Sequence, residues 1–149
     1  MGDYIKLIRE KVEEAIQIVY EYKSQYPDAE NLGVVFDIDG TLLNDDTPIK
    51  PVVDFYNICK SLGYHLFIIT ARDSHGVSET IEQLEKLGII DYVSIYFRLP
   101  VYWDMNHYKE TCRESITNKG YKIVLSIGDT QWDVGKYGGY GILLPHLAF

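Results

Sequence analysis

Apolar positions along this chain recur at two spacings, and the two alternate. Ile5, Ile8, Val12, Ala15, Ile16 and Val19 fall on one helical face, with Arg9, Glu10, Glu13 and Glu14 off it, so the opening stretch predicts an amphipathic helix. "YPDAENLG" ends it. "VVF" at 34–36 is a β-branched and aromatic run of the kind that forms an interior strand of a parallel sheet. The pattern then predicts a helix over about 51–62 closed by Gly63, a strand in "YHLFIIT", and a helix in "SHGVSETIEQLEKLG" stopped by Gly88. A strand in "YVSIYF", a helix over about 105–118 closed by Gly120, and strands in "YKIVLSIGD" and "GYGILL" complete the order. Five strands alternating with helices predict an α/β fold, a doubly wound parallel sheet that binds ligands beyond the carboxyl ends of its strands. No repeat or linker interrupts the alternation. One domain over 1–149 is expected, with 1–30 as a helical extension packed on it.

Composition narrows the picture. A chain of 149 residues with 46% hydrophobic and 24% charged residues can bury an adequate core. Its net charge of −8 argues against a general affinity for nucleic acid or an anionic membrane, and leaves a small phosphorylated substrate open if the site carries its own cations. "MGDYIKLIREKVEE" is charged where a signal peptide needs an apolar segment, so a cytoplasmic location is expected. Cys59 and Cys112 lack metal-ligand spacing and are expected as reduced, half-buried thiols. The N-terminal apolar stripe fits a helix laid against the sheet, and equally a contact in a homo-oligomer.

The polar residues at strand ends carry the chemistry. Asp37 and Asp39 end the first strand, Thr70, Ala71 and Arg72 the second, Arg98 the third, and Asp129 the fourth, while Lys109 belongs near the start of the helix before that fourth strand. All point to one rim. A buried carboxylate without partners is costly or neutralises, so two of them in "DIDGT" call for a metal, hydrogen-bond donors or a chemical role.

"FDIDGT", Thr70, Lys109, and Asp129 with Asp133 in "GDTQWD" resemble the four motifs of the haloacid dehalogenase (HAD) superfamily, most of whose members are Mg²⁺-dependent phosphatases. The resemblance runs over about 31–145 in motif order. Within the superfamily the chain is similar to the acid phosphatase branch that includes plant vegetative storage proteins and bacterial class B and C acid phosphatases. It departs from that branch in "DGT", where many members carry glutamate for the glycine, and their secretion signal is not expected here.

The resemblance implies a division of labour that the residue types support. Asp37 is the expected nucleophile, forming an aspartyl phosphate, and Asp39 the acid that protonates the leaving group and then the base that activates water. Thr70 and Lys109 would bind the phosphoryl oxygens. Mg²⁺ would be held by the Asp37 carboxylate, the Asp39 carbonyl and Asp129, with Asp133 behind them or, alternatively, capping the following turn. Gly40 permits the close turn and Thr41 would fix Asp39. Gly40, Thr41, Ala71, Arg72 and Arg98 are candidates for substrate contact.

Only 42–50 and "RLPVYWD" are spare loop, which leaves no room for a cap domain and predicts an open site. Tyr102 and Trp103 either stack a nucleobase there or pack over the sheet end. His75 could touch substrate, while His65, His107 and His146 show no ligand spacing and read as solvated or core residues. A phosphomonoesterase acting on nucleotides or other small phosphate esters is the leading reading. A polynucleotide-end phosphatase and an inactive binding or storage protein are the alternatives. A receiver domain would carry its acceptor aspartate and lysine in the reverse order.

Overall fold

The computed structural model describes residues 2–146. Helix α1 (Gly2–Gln25) leads into β1 (Leu32–Phe36), a hairpin of β2 (Leu43–Asn44) and β3 (Thr47–Pro48), α2 (Lys50–Ser61) and β4 (His65–Asp73). Then follow α3 (Val77–Lys86), β5 (Ser94–Arg98), α4 (Met105–Asn118), β6 (Lys122–Gly128) and β7 (Tyr140–Leu143). The main sheet has the order β5-β4-β1-β6-β7, and every pairing in it is parallel. The chain builds outward from β1 through β4 to β5, then returns to the other side of β1 for β6 and β7. That reversal opens a crevice beyond the carboxyl ends of β1 and β6, where ligands bind in sheets of this type.

β1 is buried on both faces, and its side chains divide by the strand period of two. Val34 and Phe36 join the larger core with Ile8, Val12, Phe55 and Tyr56 from α1 and α2, whereas Val35 joins Phe67, Tyr108, Cys112 and Ile116 on the α4 side. The N-terminal stripe is spent inside the chain: Ile8, Val12, Ala15 and Val19 are buried, and Tyr64 on the adjoining loop donates its hydroxyl to the Val19 carbonyl at 2.7 Å.

Two expectations change. The stretch read as spare loop holds the β2–β3 hairpin, whose tip places Asp45 at φ +55°, a left-handed conformation that aspartate tolerates better than most residues. Its two-residue arms are too short for any period to show. Cys59 and Cys112 are fully rather than half buried, at 0% and 7% exposure, because each faces a core cluster from its helix. Among the described residues no helix is long and apolar enough to cross a membrane.

Candidate active site

β1 delivers Asp37 to the rim with its amide still in the ladder, donating to the Ile127 carbonyl at 3.2 Å. Its carboxylate is buried and held from two sides. Lys109 Nζ donates to Oδ1 at 3.0 Å, and Thr41 Oγ1 donates to Oδ2 at 3.2 Å. The ammonium also donates to the Ile69 carbonyl at 2.7 Å and pairs with Asp133 Oδ1 at 2.7 Å. Lys109 reaches this point because Asp104 caps α4, accepting from the His107 amide at 3.0 Å. Tyr108 then ties the helix to the sheet, donating its hydroxyl to the Thr70 carbonyl at 2.7 Å.

The electrostatics follow from burial. Desolvation pushes the Asp37 carboxyl above the usual carboxylate range; Lys109 opposes this, and Asp133 and Asp129 add to it. Burial alone would lower the Lys109 pKa, but Asp37 and Asp133 outweigh it and hold the ammonium above its ordinary value. The lysine is therefore a fixed cation.

Beyond Ile38 the chain turns back on itself. Gly40 sits at φ +78°, and a Cβ there would collide with the Asp129 carboxylate, so both conformation and space require glycine. The turn brings Asp37, Asp129 and Asp133 together, with one ligating oxygen from each inside a 4.8 Å span. Three buried carboxylates around one lysine leave negative charge in excess, and hard oxygen donors in that density could hold a divalent metal ion. Asp133 takes the capping role foreseen for it and also pairs with Lys109. Its Oδ1 faces Lys109, while Oδ2 accepts from the Thr130 amide at 3.1 Å and the Thr130 hydroxyl at 2.9 Å.

Asp39 is arranged differently. Its side chain is 56% exposed, and Arg72 grips it with two parallel bonds, Nε to Oδ2 at 2.9 Å and Nη2 to Oδ1 at 2.8 Å. Arg72 is itself held by α3, through Nη1 to Thr80 Oγ1 at 3.2 Å and to Gln83 Oε1 at 2.7 Å.

The cleft has a volume of about 380 Å³ and is lined by Asp37, Asp39, Gly40, Asn44, Asp45, Ala71, Lys109, Asp129, Thr130, Trp132 and His146. A larger depression of about 590 Å³ between α1 and residues 143–146 adjoins it at Asp129 and His146, but lacks Asp37, Asp39 and Lys109. The smaller cleft, which gathers Asp37, Asp39 and Lys109, is therefore the candidate site.

Several expected residues sit elsewhere. Thr70 is fully buried outside the cleft lining, and its Oγ1 accepts from the Arg72 amide at 3.0 Å. Thr41 holds Asp37 rather than Asp39. Arg72 spends its guanidinium on Asp39 and α3. Arg98 is turned onto backbone, donating to the carbonyls of Ala71 at 3.0 Å and Tyr102 at 3.2 Å, because the loop after β5 curls over it. Trp103 is 87% exposed and neither packs over the sheet nor lines the cleft. His75 lies outside the lining and bonds to Asp73 at 2.7 Å.

Trp132 and Arg113 were not singled out by the sequence, and His146 was read from it as a solvated or core residue. Trp132 lines the cleft. His146 Nδ1 lies 2.8 Å from Asp129 Oδ2, a contact across 17 positions that no local spacing announces. Arg113, one turn beyond Lys109, is buried and donates to the carbonyls of Lys136 and Trp132, each at 2.8 Å, which fixes the loop carrying Asp133. The Lys109 to Arg113 spacing of one helical turn could have suggested that last role.

Comparison with known proteins agrees with this fold. No curated protein matches the chain. A chain in the structure of a Pnkp1/Rnl/Hen1 complex is similar, with a TM-score of 0.71 and 21% identity over 82% of this chain and 48% of that one. A chain of the Pnkp1/Rnl/Hen1 RNA repair complex gives a TM-score of 0.70 and 20% identity over 82% of this chain and 45% of that one. These likenesses establish a shared fold, and this chain spans just under half the length of either neighbour. Residues 44–142 match the family described as HAD superfamily, subfamily IIIB (Acid phosphatase), a match that starts beyond Asp37 and Asp39 and so stands independently of them. With Asp37, Lys109 and Asp129 gathered at the sheet's switch point and well over half the chain matched, the protein belongs to the HAD superfamily acid phosphatases of subfamily IIIB.

Proposed function

We propose that the chain is a Mg²⁺-dependent phosphomonoesterase that works through a phosphoryl group carried on Asp37. The observation that supports this most is the pairing of one buried, lysine-held carboxylate with one exposed, arginine-held carboxylate two residues away. Asp37 attacks phosphorus in line with the departing alcohol, and the ester P–O bond breaks as the aspartyl bond forms. Asp39 gives its proton to the leaving oxygen, then takes one from the water that releases phosphate. Lys109 neutralises part of the phosphoryl charge. Asp37, Asp129 and the Asp39 carbonyl would hold Mg²⁺, backed by Asp133, and the ion when bound supplies charge neutralisation for phosphoryl oxygens.

Nucleotides and other small phosphate esters are the proposed substrates. A phosphorylated polynucleotide end is a second reading, favoured by the absence of a cap domain among the described residues and by the fold shared with a chain of an RNA repair complex. The net charge of −8 favours the smaller substrates. A panel of mononucleotides, sugar phosphates and 3′- or 5′-phosphorylated oligonucleotides, assayed with and without Mg²⁺, tests the proposal. Turnover of small esters that vanishes in chelator supports it; release of phosphate from oligonucleotide ends alone would favour the second reading.

A further inference from the structure

One side chain joins two parts of the site that the reaction needs separately. Gln83, half-buried on α3, accepts from Arg72 Nη1 at 2.7 Å. Its amide nitrogen donates to Asp46 Oδ1 at 2.9 Å and to the Asp45 carbonyl at 3.2 Å, both in the β2–β3 turn. A primary amide is the group that offers an acceptor to a guanidinium on one side and donors to a carboxylate and a carbonyl on the other. Its orientation is therefore dictated by its partners. The hairpin is also a wall of the cleft, since Asn44 and Asp45 line it.

We propose that Gln83 is a positioning residue for phosphate ester hydrolysis. Through Arg72 it fixes the direction of the Asp39 carboxylate, and through the turn it ties that carboxylate to the hairpin wall. Without Gln83, Arg72 keeps Thr80 as its remaining side-chain anchor on α3, at 3.2 Å. The guanidinium is then free to swing, and the two-bond grip on Asp39 loosens. The inference rests on Asp39 being the acid of the proposed function. Two substitutions separate the two arms of the amide. Gln83→Glu keeps an acceptor for Arg72 but loses the donor and places like charge against Asp46, so it releases the hairpin alone. Gln83→Met loses both arms.

The experiment compares kcat/KM for an aryl phosphate, whose leaving group departs with little help, and an alkyl phosphate, whose leaving group needs the proton. This ratio covers the steps up to departure of the alcohol, before the hydrolysis common to both substrates. Gln83→Met is expected to lose about tenfold on the alkyl ester and no more than about twofold on the aryl ester, as misplacement of a proton donor dictates. Gln83→Glu is expected to keep the wild-type ratio between the two and to raise KM about threefold on both, a pattern that Asp46→Ala on the exposed turn should copy. Equal losses on both esters in Gln83→Met, no loss, or a Gln83→Glu ratio shifted as far as that of Gln83→Met would overturn the proposal. Asp39→Asn run alongside keeps the two claims apart. A selective alkyl loss there upholds the acid role, so that the Gln83 variants judge the positioning claim alone, whereas an equal loss removes the acid role and the positioning claim with it.

Discussion

Asp37 and Asp39 are two residues apart, and the protein treats them in opposite ways. The first has a side chain 10% exposed, pairs with a lysine 2% exposed and sits at the end of a central strand; the second is 56% exposed and pairs with an arginine 23% exposed. The buried pair is fixed by the fold itself, because Lys109 can go nowhere else without stranding charge. The exposed pair is aimed by hydrogen bonds from α3 and the hairpin. A nucleophile needs a constant place beneath the phosphorus, and an acid–base group needs direction together with access to water and to the departing oxygen. In the proposed mechanism, the contrast shows how one turn of chain would supply both, by burying one carboxylate and exposing the next.

The largest effect should come from breaking the buried side. Lys109→Met leaves Asp37 and Asp133 without their cation, and loss of one partner of a buried ion pair typically costs about 3–5 kcal/mol. Urea unfolding of the metal-free variant should show that loss, together with abolished turnover. A smaller gain should follow from adding charge of the right sign. Mg²⁺ at about 100 times its dissociation constant should stabilise the folded protein by about 2.7 kcal/mol, read as a rise in thermal midpoint, and Asp129→Asn should remove most of that rise.

The pH dependence of the metal-free protein sharpens the comparison next. Asp37 holds its proton more tightly folded than unfolded, since burial raises its pKa. The unfolded chain therefore binds fewer protons across the window that opens at the ordinary carboxylate value of about 4, and stability declines as pH rises through it toward the raised folded pKa. Asp37→Asn should flatten that decline. Arg72→Lys on the exposed side should be the mildest change, within about 1 kcal/mol of wild-type stability, while its activity on alkyl phosphates falls more than on aryl phosphates. Equal destabilisation by Lys109→Met and Arg72→Lys would erase the distinction between the two pairs.

Most of the fold was legible because its elements are long and their periods clean. The helix carrying Lys109 begins and ends where "DMNHYK" and Gly120 predict, and Gly63, Gly88 and Gly120 all take the positive φ that their stop positions imply. The convergence of Asp37, Asp39, Lys109 and Asp129 on one rim follows from parallel strands ending on the same side. What stayed hidden depends on side-chain direction. A strand-end arginine reads as a substrate contact, yet Arg98 turns onto the Ala71 and Tyr102 carbonyls and Arg72 onto Asp39. The hairpin escaped because two-residue strands have no period, and Gln83 escaped because its partners lie 11 and 37 positions away in sequence.

In the proposed mechanism the Asp37 carboxylate carries the phosphoryl group. Asp39→Asn with an aryl phosphate tests it directly, because the leaving group departs without the acid while hydrolysis of the aspartyl phosphate lacks its base. Acid quenching within the first turnovers, followed by peptide mass analysis, should find a phosphoryl group on the peptide containing Asp37, and none when Asp37→Asn is added. Steady phosphate release with that peptide unmodified, or a label that persists without Asp37, would contradict the account.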